Sequence, residues 1–246
     1  MKNILSRIFT RIKKDKLNKK WRDMDFILNF KDFTVEYRNQ HSLVEEAEHQ
    51  VGRYLNMQKI IAEIKQTGLK GDVVEFGTWQ GLGLVILHRL FDNKEMKFIG
   101  IDSFEGLPVD SNFWRKGMFN NTSLNYTIDN LKKYTGTTEQ FHLIKGWFSD
   151  SIVKESLYKT TNDVALVHLD ADLGVSTTQA LDVIRPYLVN RKKPIYFLFD
   201  DWGLHPDEVP DAFLNWANRE ARLLGFEAVK LSSTRCTRYY RLDFNE

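Results

Sequence analysis

Asp72-Val73-Val74-Glu75-Phe76-Gly77-Thr78-Trp79-Gln80-Gly81 is the stretch whose reading decides the fold. Its first five residues form a short hydrophobic run with β-branched and aromatic side chains, as in a buried strand. Gly77 and Gly81 then mark a tight turn, because glycine reaches backbone angles that side chains forbid. Both are expected to leave room for a ligand. From Leu82 to Phe91, Leu84, Leu87, Leu90 and Phe91 recur at helical spacing. Strand, glycine turn and helix together build a nucleotide site at the carboxyl edge of an open α/β sheet. Glu75 ends the strand, where it can accept hydrogen bonds from a cationic or hydroxylated ligand. Any βα turn shares this local pattern, so the flanking chain has to decide.

Upstream, Val44, Ala47, Val51, Tyr54, Leu55, Ile60, Ile61 and Ile64 predict a helix over 42–67, ended by Gly68 and Gly71. Phe26, Phe30, Phe33 and Tyr37 read as core or lid anchors. Downstream, 97–102 predicts a second strand ending in Asp102, an acid placed to chelate the vicinal hydroxyls of a ribose. Residues 109–125 read as a lid or substrate loop, and 129–134 as a short helix. Residues 141–144 read as a third strand leading to Gly146-Trp147-Phe148. Residues 163–170 are nearly all apolar, a strand buried on both faces, with His168 read as structural. Ser176-Thr177-Thr178-Gln179 reads as a capping box opening a helix. Residues 194–199 predict a fifth strand ending in Asp200-Asp201. A helix over 208–224, stopped by Gly225, precedes a final strand pair at 226–231 and 237–244. This alternation predicts an α/β fold with a doubly wound, mostly parallel, seven-stranded Rossmann-like sheet. Residues 1–69 form a helical extension and 70–246 the ligand-binding domain.

The chain has 246 residues, 42% of them hydrophobic, enough for a large core. One cysteine, Cys236, excludes an internal disulfide and points to a reducing, cytoplasmic setting. No apolar run approaches the roughly 18 residues of a membrane span, and no secretory signal is visible. The net charge of +2 hides an asymmetry: residues 1–22 carry nine basic groups and one acid, so +8 there leaves −6 elsewhere. Ile4, Leu5, Ile8, Phe9 and Ile12 share one helical face of that leader. Such a helix suits peripheral contact with an anionic inner membrane face; a solvated leader, or one docked on a partner, explains the pattern equally. Nucleic acid is a poor partner, because the body is acidic and lacks a stacking motif. Oligomeric state, a homo-oligomer included, stays open.

Glu75, Asp102, Asp170, Asp200 and Asp201 all lie at strand ends. Parallel strands end at one edge, so these carboxylates converge. Asp170 and the adjacent Asp200-Asp201 would repel one another without a cation. Oxygen-only ligands suit Mg²⁺ or another hard divalent ion. Capping of the next turn by Asp200 or Asp201, with no metal, is the alternative.

Asp72 to Gly83, Asp102 to Pro108, Gly146-Trp147-Phe148, Leu169-Asp170-Ala171-Asp172 with Ser176-Thr177, and Asp200-Asp201 together resemble class I S-adenosylmethionine-dependent methyltransferases. They are most similar to the macrocin O-methyltransferase family, which methylates sugar hydroxyls and uses Mg²⁺. The resemblance covers about residues 70–205. It implies that Glu75, Gly77, Thr78 and Gly81 bracket the methionine and ribose of the donor. Asp102 and Ser103 would meet the ribose, and Gly146, Trp147 and Phe148 would flank the adenine. Asp170, Asp200 and Asp201 would hold Mg²⁺, with His205 or Asp170 as the catalytic base. The implied activity is Mg²⁺-dependent methyl transfer to a sugar hydroxyl of a glycoconjugate, glycolipid or natural product. One departure stands out: the family's aromatic and Glu before Ser-Thr are Gly174 and Val175 here. A non-catalytic donor-binding scaffold accommodates that departure. An NAD-dependent dehydrogenase is a further alternative, disfavoured by the spacing of Gly77, Gly81 and Gly83.

Overall fold

The computed structural model describes residues 43–202, 208–233 and 237–245, with side chains from Gly52 onward except that of Ser233. The leader, Phe26, Phe30, Phe33, Tyr37 and His205 lie outside the described residues. Helix α1 spans Leu43–Thr67, β1 Asp72–Phe76, α2 Leu82–Phe91, β2 Phe98–Asp102, α3 Leu124–Thr135 and β3 Phe141–Lys145. Then come α4 Ser151–Thr160, β4 Val164–Leu169, α5 Gly174–Ile184, β5 Ile195–Phe199, α6 Val209–Leu224, β6 Phe226–Ser233 and β7 Arg238–Phe244. The sheet has seven strands in the order β3-β2-β1-β4-β5-β7-β6. Strands β1 to β5 pair in parallel, and β7 runs antiparallel between β5 and β6. The predicted doubly wound sheet is therefore present. Strand order reverses between β1 and β4, the place where open α/β sheets bind ligands.

Alternation along each strand gives the sheet two unlike faces. Val74, Phe76, Ile99, Ile101, Val167, Leu169, Phe197 and Phe199 belong to one apolar core with residues of α4, α5 and α6. On the other face β1 and β4 place Glu75 beside His168 in register. Helix α1 lies over that face, where Tyr196 Oη donates to Glu63 Oε1 at 3.2 Å and Asn56 Nδ2 donates to Thr237 Oγ1. Tyr54, Met57, Ile60, Ile61 and Ile64 of α1 are buried, while Leu55, expected inward, is 39% exposed.

Three elements differ from the sequence reading. Helix α3 begins at Leu124 because the Ser123 side chain accepts the Tyr126 N–H and caps it there. Helix α4 was not anticipated; it buries only Val153 and Leu157, while Ile152 and Tyr158 are exposed, so no clean stripe marks it. Helix α5 starts at Gly174, which places Ser176 inside its first turn rather than at the cap. There Thr178 Oγ1 donates back to the Gly174 carbonyl at 3.0 Å. No described helix is long and apolar enough to cross a membrane.

Candidate active site at the carboxyl edge of the sheet

The opening turn is shaped by close packing of the chain. Gly77 has φ +84°, and a Cβ there would lie 1.7 Å from the Asp170 carbonyl oxygen. Only glycine lets the β1 end pass the β4 end at that distance. A Cβ on Gly81, φ +90°, would lie 3.2 Å from side-chain carbons of Leu131 and Thr127 of α3, a tight contact rather than a clash. The Cβ position of Gly77 is thus taken by the Asp170 backbone. Trp79 follows with φ +45°; its carbonyl accepts Thr122 and Thr127 hydroxyls, and its Nε1 donates to Asn121 at 3.0 Å. Thr78 is buried, with an Oγ1 that has no hydrogen-bond partner. Left-handed non-glycine residues stand just past four strand ends: Trp79, Phe104, Asp172 and Asp201. Backbone strain gathered at one edge marks a site that the surrounding fold holds in place.

Asp102 is fixed by the backbone. Its Oδ2 accepts the Trp79 N–H at 2.7 Å and its Oδ1 the Phe104 N–H at 2.6 Å. Each oxygen keeps a further lone pair for a diol. Burial pushes this carboxyl up, and the backbone N–H groups of Phe104, Trp79 and Thr78 oppose the shift. Ser103 Oγ accepts the Glu105 N–H at 3.1 Å, so it builds the turn beneath Asp102. Beyond β3, a Cβ on Gly146 would lie 2.7 Å from Val153. Phe148 packs edge-on against Phe76 with ring centroids 5.2 Å apart, at the border of the apolar core. Trp147 is half-buried, its N–H donating to Asp150 at 2.9 Å.

Glu75 does not stand at an open edge. It is 1% exposed, and its Oε1 lies 2.8 Å from His168 Nδ1. Its Oε2 is buried and has no hydrogen-bond partner. Burial raises the Glu75 carboxyl, and the histidine works against that. Burial alone would lower His168, but the Asp200 carboxylate, 3.8 Å from Nε2, and the hydrogen-bonded Glu75 outweigh it and push the imidazole up to about 9. His168 is thus the protonated partner of the acids around it. Residues 168, 170 and 200 share one face, and one ligand atom from each of His168, Asp170 and Asp200 falls within 4.8 Å of the others.

Arg53, on α1, completes this cluster. Its Nη2 lies 3.0 Å from Asp170 Oδ2 and its Nε 3.0 Å from Asp200 Oδ2. The second contact is a charge pair off the N–H axis. Asp201 has φ +58°, and its buried Oδ2 accepts no hydrogen bond. Burial and the nearby acids push Asp172 and Asp201 well above the usual carboxylate range. Arg53 escaped the sequence reading, although a signal was there. It shares a helical face with Met57, Ile60 and Ile64, and a charge inside an apolar stripe requires a buried partner.

A cavity of about 680 Å³ opens between Val109–Asn112, the start of α5 and the start of α6; none of Asp102, Asp170, Asp200 and Asp201 lines it. Gly174 lines it, and its N–H donates to Glu208 Oε2 at 3.3 Å. A Cβ on Gly174 would lie 2.8 Å from the Glu208 carbonyl oxygen. The backbone of Glu208 therefore takes the space an aromatic residue would need, which accounts for the Gly174 departure. Val175 is 49% exposed.

A seven-stranded, mostly parallel sheet with a glycine turn after β1 and carboxylates gathered at its carboxyl edge defines a Rossmann-like fold. The family model for macrocin O-methyltransferase (TylF) matches residues 12–221, and the chain belongs to that family. The chain is 27% identical over 177 residues to the 8-demethyl-8-(2,3-dimethoxy-alpha-L-rhamnosyl)-tetracenomycin-C 4'-O-methyltransferase of Streptomyces olivaceus, covering 67% of this chain and 64% of that protein. It is 23% identical over 181 residues to the demethyldecarbamoylnovobiocin O-methyltransferase of Streptomyces niveus, covering 68% and 64%. The chain thus spans a little under two thirds of the length of these relatives. Among solved structures, the O-methyltransferase NovP superposes with a TM-score of 0.62 at 21% identity, over 78% of this chain and 80% of NovP. The calicheamicin methyltransferase CalS11 gives 0.60 at 20%, over 92% and 93%.

Proposed function

We propose that this chain transfers the methyl group of S-adenosylmethionine to a hydroxyl oxygen of a sugar borne by a natural product. The carrying observation is Asp102, clamped by two backbone N–H groups past the glycine turn of a family member. The family and the named sugar and antibiotic O-methyltransferases among its relatives support the reading. S-adenosylhomocysteine-bound neighbours of the same fold support the choice of donor. The sulfonium methyl is already activated, so the protein's task is alignment of an oxygen with it. The O–CH₃ bond forms as the S–CH₃ bond breaks, and the hydroxyl proton passes to a base. Asp170, 24% exposed at its side chain and 3.0 Å from Arg53 Nη2, is the base among the described residues. Asp102 holds the ribose diol, half-buried Trp147 flanks the adenine, and the cavity beside Gly174 receives the acceptor.

Mg²⁺, implied through Asp170, Asp200 and Asp201, meets an obstacle. Asp170 and Asp200 already contact Arg53, so this set fits the ion only if the arginine moves. Calorimetry with S-adenosylhomocysteine and with NAD tests the donor. One tight site for the former and none for the latter is expected, and Asp102→Ala should weaken binding about tenfold or more, the scale of a lost charge-assisted pair. NAD binding without S-adenosylhomocysteine binding would defeat the proposal. Binding without turnover on any deoxysugar glycoside would favour the scaffold reading, which the exposed Val175 in place of an acid motivates.

A further inference from the structure

We propose that the Arg53 guanidinium is the resident counter-cation of Asp170 and Asp200, and that it competes with divalent metal for those two carboxylates. The inference deepens the proposed active site and takes its functional meaning from that reading. The arginine is built into the cluster. Its two contacts, both 3.0 Å, use different nitrogens and reach acids just past the ends of two different strands, β4 and β5. Its side chain is 9% exposed. Gly83 of α2 makes room for it: a Cβ there would lie 2.9 Å from Arg53 Nη2 and 1.8 Å from Glu75 Oε1. The flanking Tyr54 and Asn56 of α1 are buried as well, so the arginine's base is held rigidly.

A guanidinium cannot shed its charge at accessible pH. Mg²⁺ needs carboxylate oxygens at about 2.0–2.1 Å. Binding both acids would press the ion against a fixed cation, in surroundings where like charges are poorly screened. One cation therefore excludes the other. A tethered cation also keeps the Asp170 carboxylate oriented, 3.0 Å from Arg53 Nη2.

The test titrates Mn²⁺ into the full chain and into Arg53→Met and Arg53→Gln, following the free-ion electron paramagnetic resonance signal. The parent is expected to leave Mn²⁺ free where each variant takes up one ion, an affinity gain of about tenfold or more. Adding Asp200→Asn to Arg53→Met should abolish the gain. Equal affinity in parent and variants, or folded variants that take up no ion, overturns the proposal. If neither variant folds, the parent decides: one Mn²⁺ held at micromolar concentration overturns the idea, and no uptake up to millimolar supports it. Calorimetry of the parent with S-adenosylhomocysteine in EDTA runs alongside. A parent that binds none breaks the methyltransferase reading and leaves the Mn²⁺ comparison standing.

Discussion

The two faces of the central sheet use the same strands for opposite purposes. One face presents Phe76, Leu169, Phe197 and Phe199 to α5 and α6, all at 0–1% exposure. The other presents Glu75, His168, Asp170 and Asp200 to α1, equally deep in part, with Arg53 and His168 as the cations. Residues one position apart thus answer to different physics. The apolar face is stabilised by packing and responds to volume. The charged face is held by ion pairs whose desolvation offsets much of their attraction. It contributes little net stability and keeps a set of carboxylates in place for chemistry.

The largest expected effect lies on the apolar face. Phe199 packs 4.5 Å from Phe213 and 5.2 Å from Trp202, centroid to centroid. Phe199→Ala should cost about 3–5 kcal/mol in urea unfolding, with no dependence on pH near neutrality. A loss under about 1 kcal/mol would mean that this face is not the packed one.

The charged face should show a smaller loss that titrates. His168→Gln removes the cation between Glu75 and Asp200 and should cost about 1–3 kcal/mol near pH 6. His168 is raised from 6.5 to about 9 in the folded protein. A raised value stabilises fully below the unfolded value and loses that contribution as pH climbs through the folded one. The stability gap between parent and variant should therefore be greatest below about pH 6.5 and should close through about pH 9. A gap that widens with pH would show the imidazole to be neutral and the comparison of faces misdrawn.

The smallest effect belongs to neither face. Val175, 49% exposed in the first turn of α5, packs on no core. Val175→Glu, which restores the family pattern, should move stability by less than about 0.5 kcal/mol. A larger destabilisation, read as a fall in thermal midpoint, would place Val175 within reach of the acids at the sheet edge.

The sequence by itself determined the sheet, its parallel core and the acids at its carboxyl edge. Those follow from local rules: period-two burial, glycine at turns, strands ending together. Helix α4 escaped because two inward side chains are too few to set a period. The jobs of Gly77, Gly81 and Gly174 also escaped, because what presses on each comes from a distant segment: Asp170, α3 and Glu208. The pairing inside the acid cluster was likewise decided by tertiary structure alone. A strand-end carboxylate announces charge but not its partner. Arg53 lies 117 residues before Asp170 and 147 before Asp200 in the chain. Only the docking of α1 across the sheet brings its guanidinium between them, since ion pairing acts over a few ångströms of space whatever the distance along the sequence.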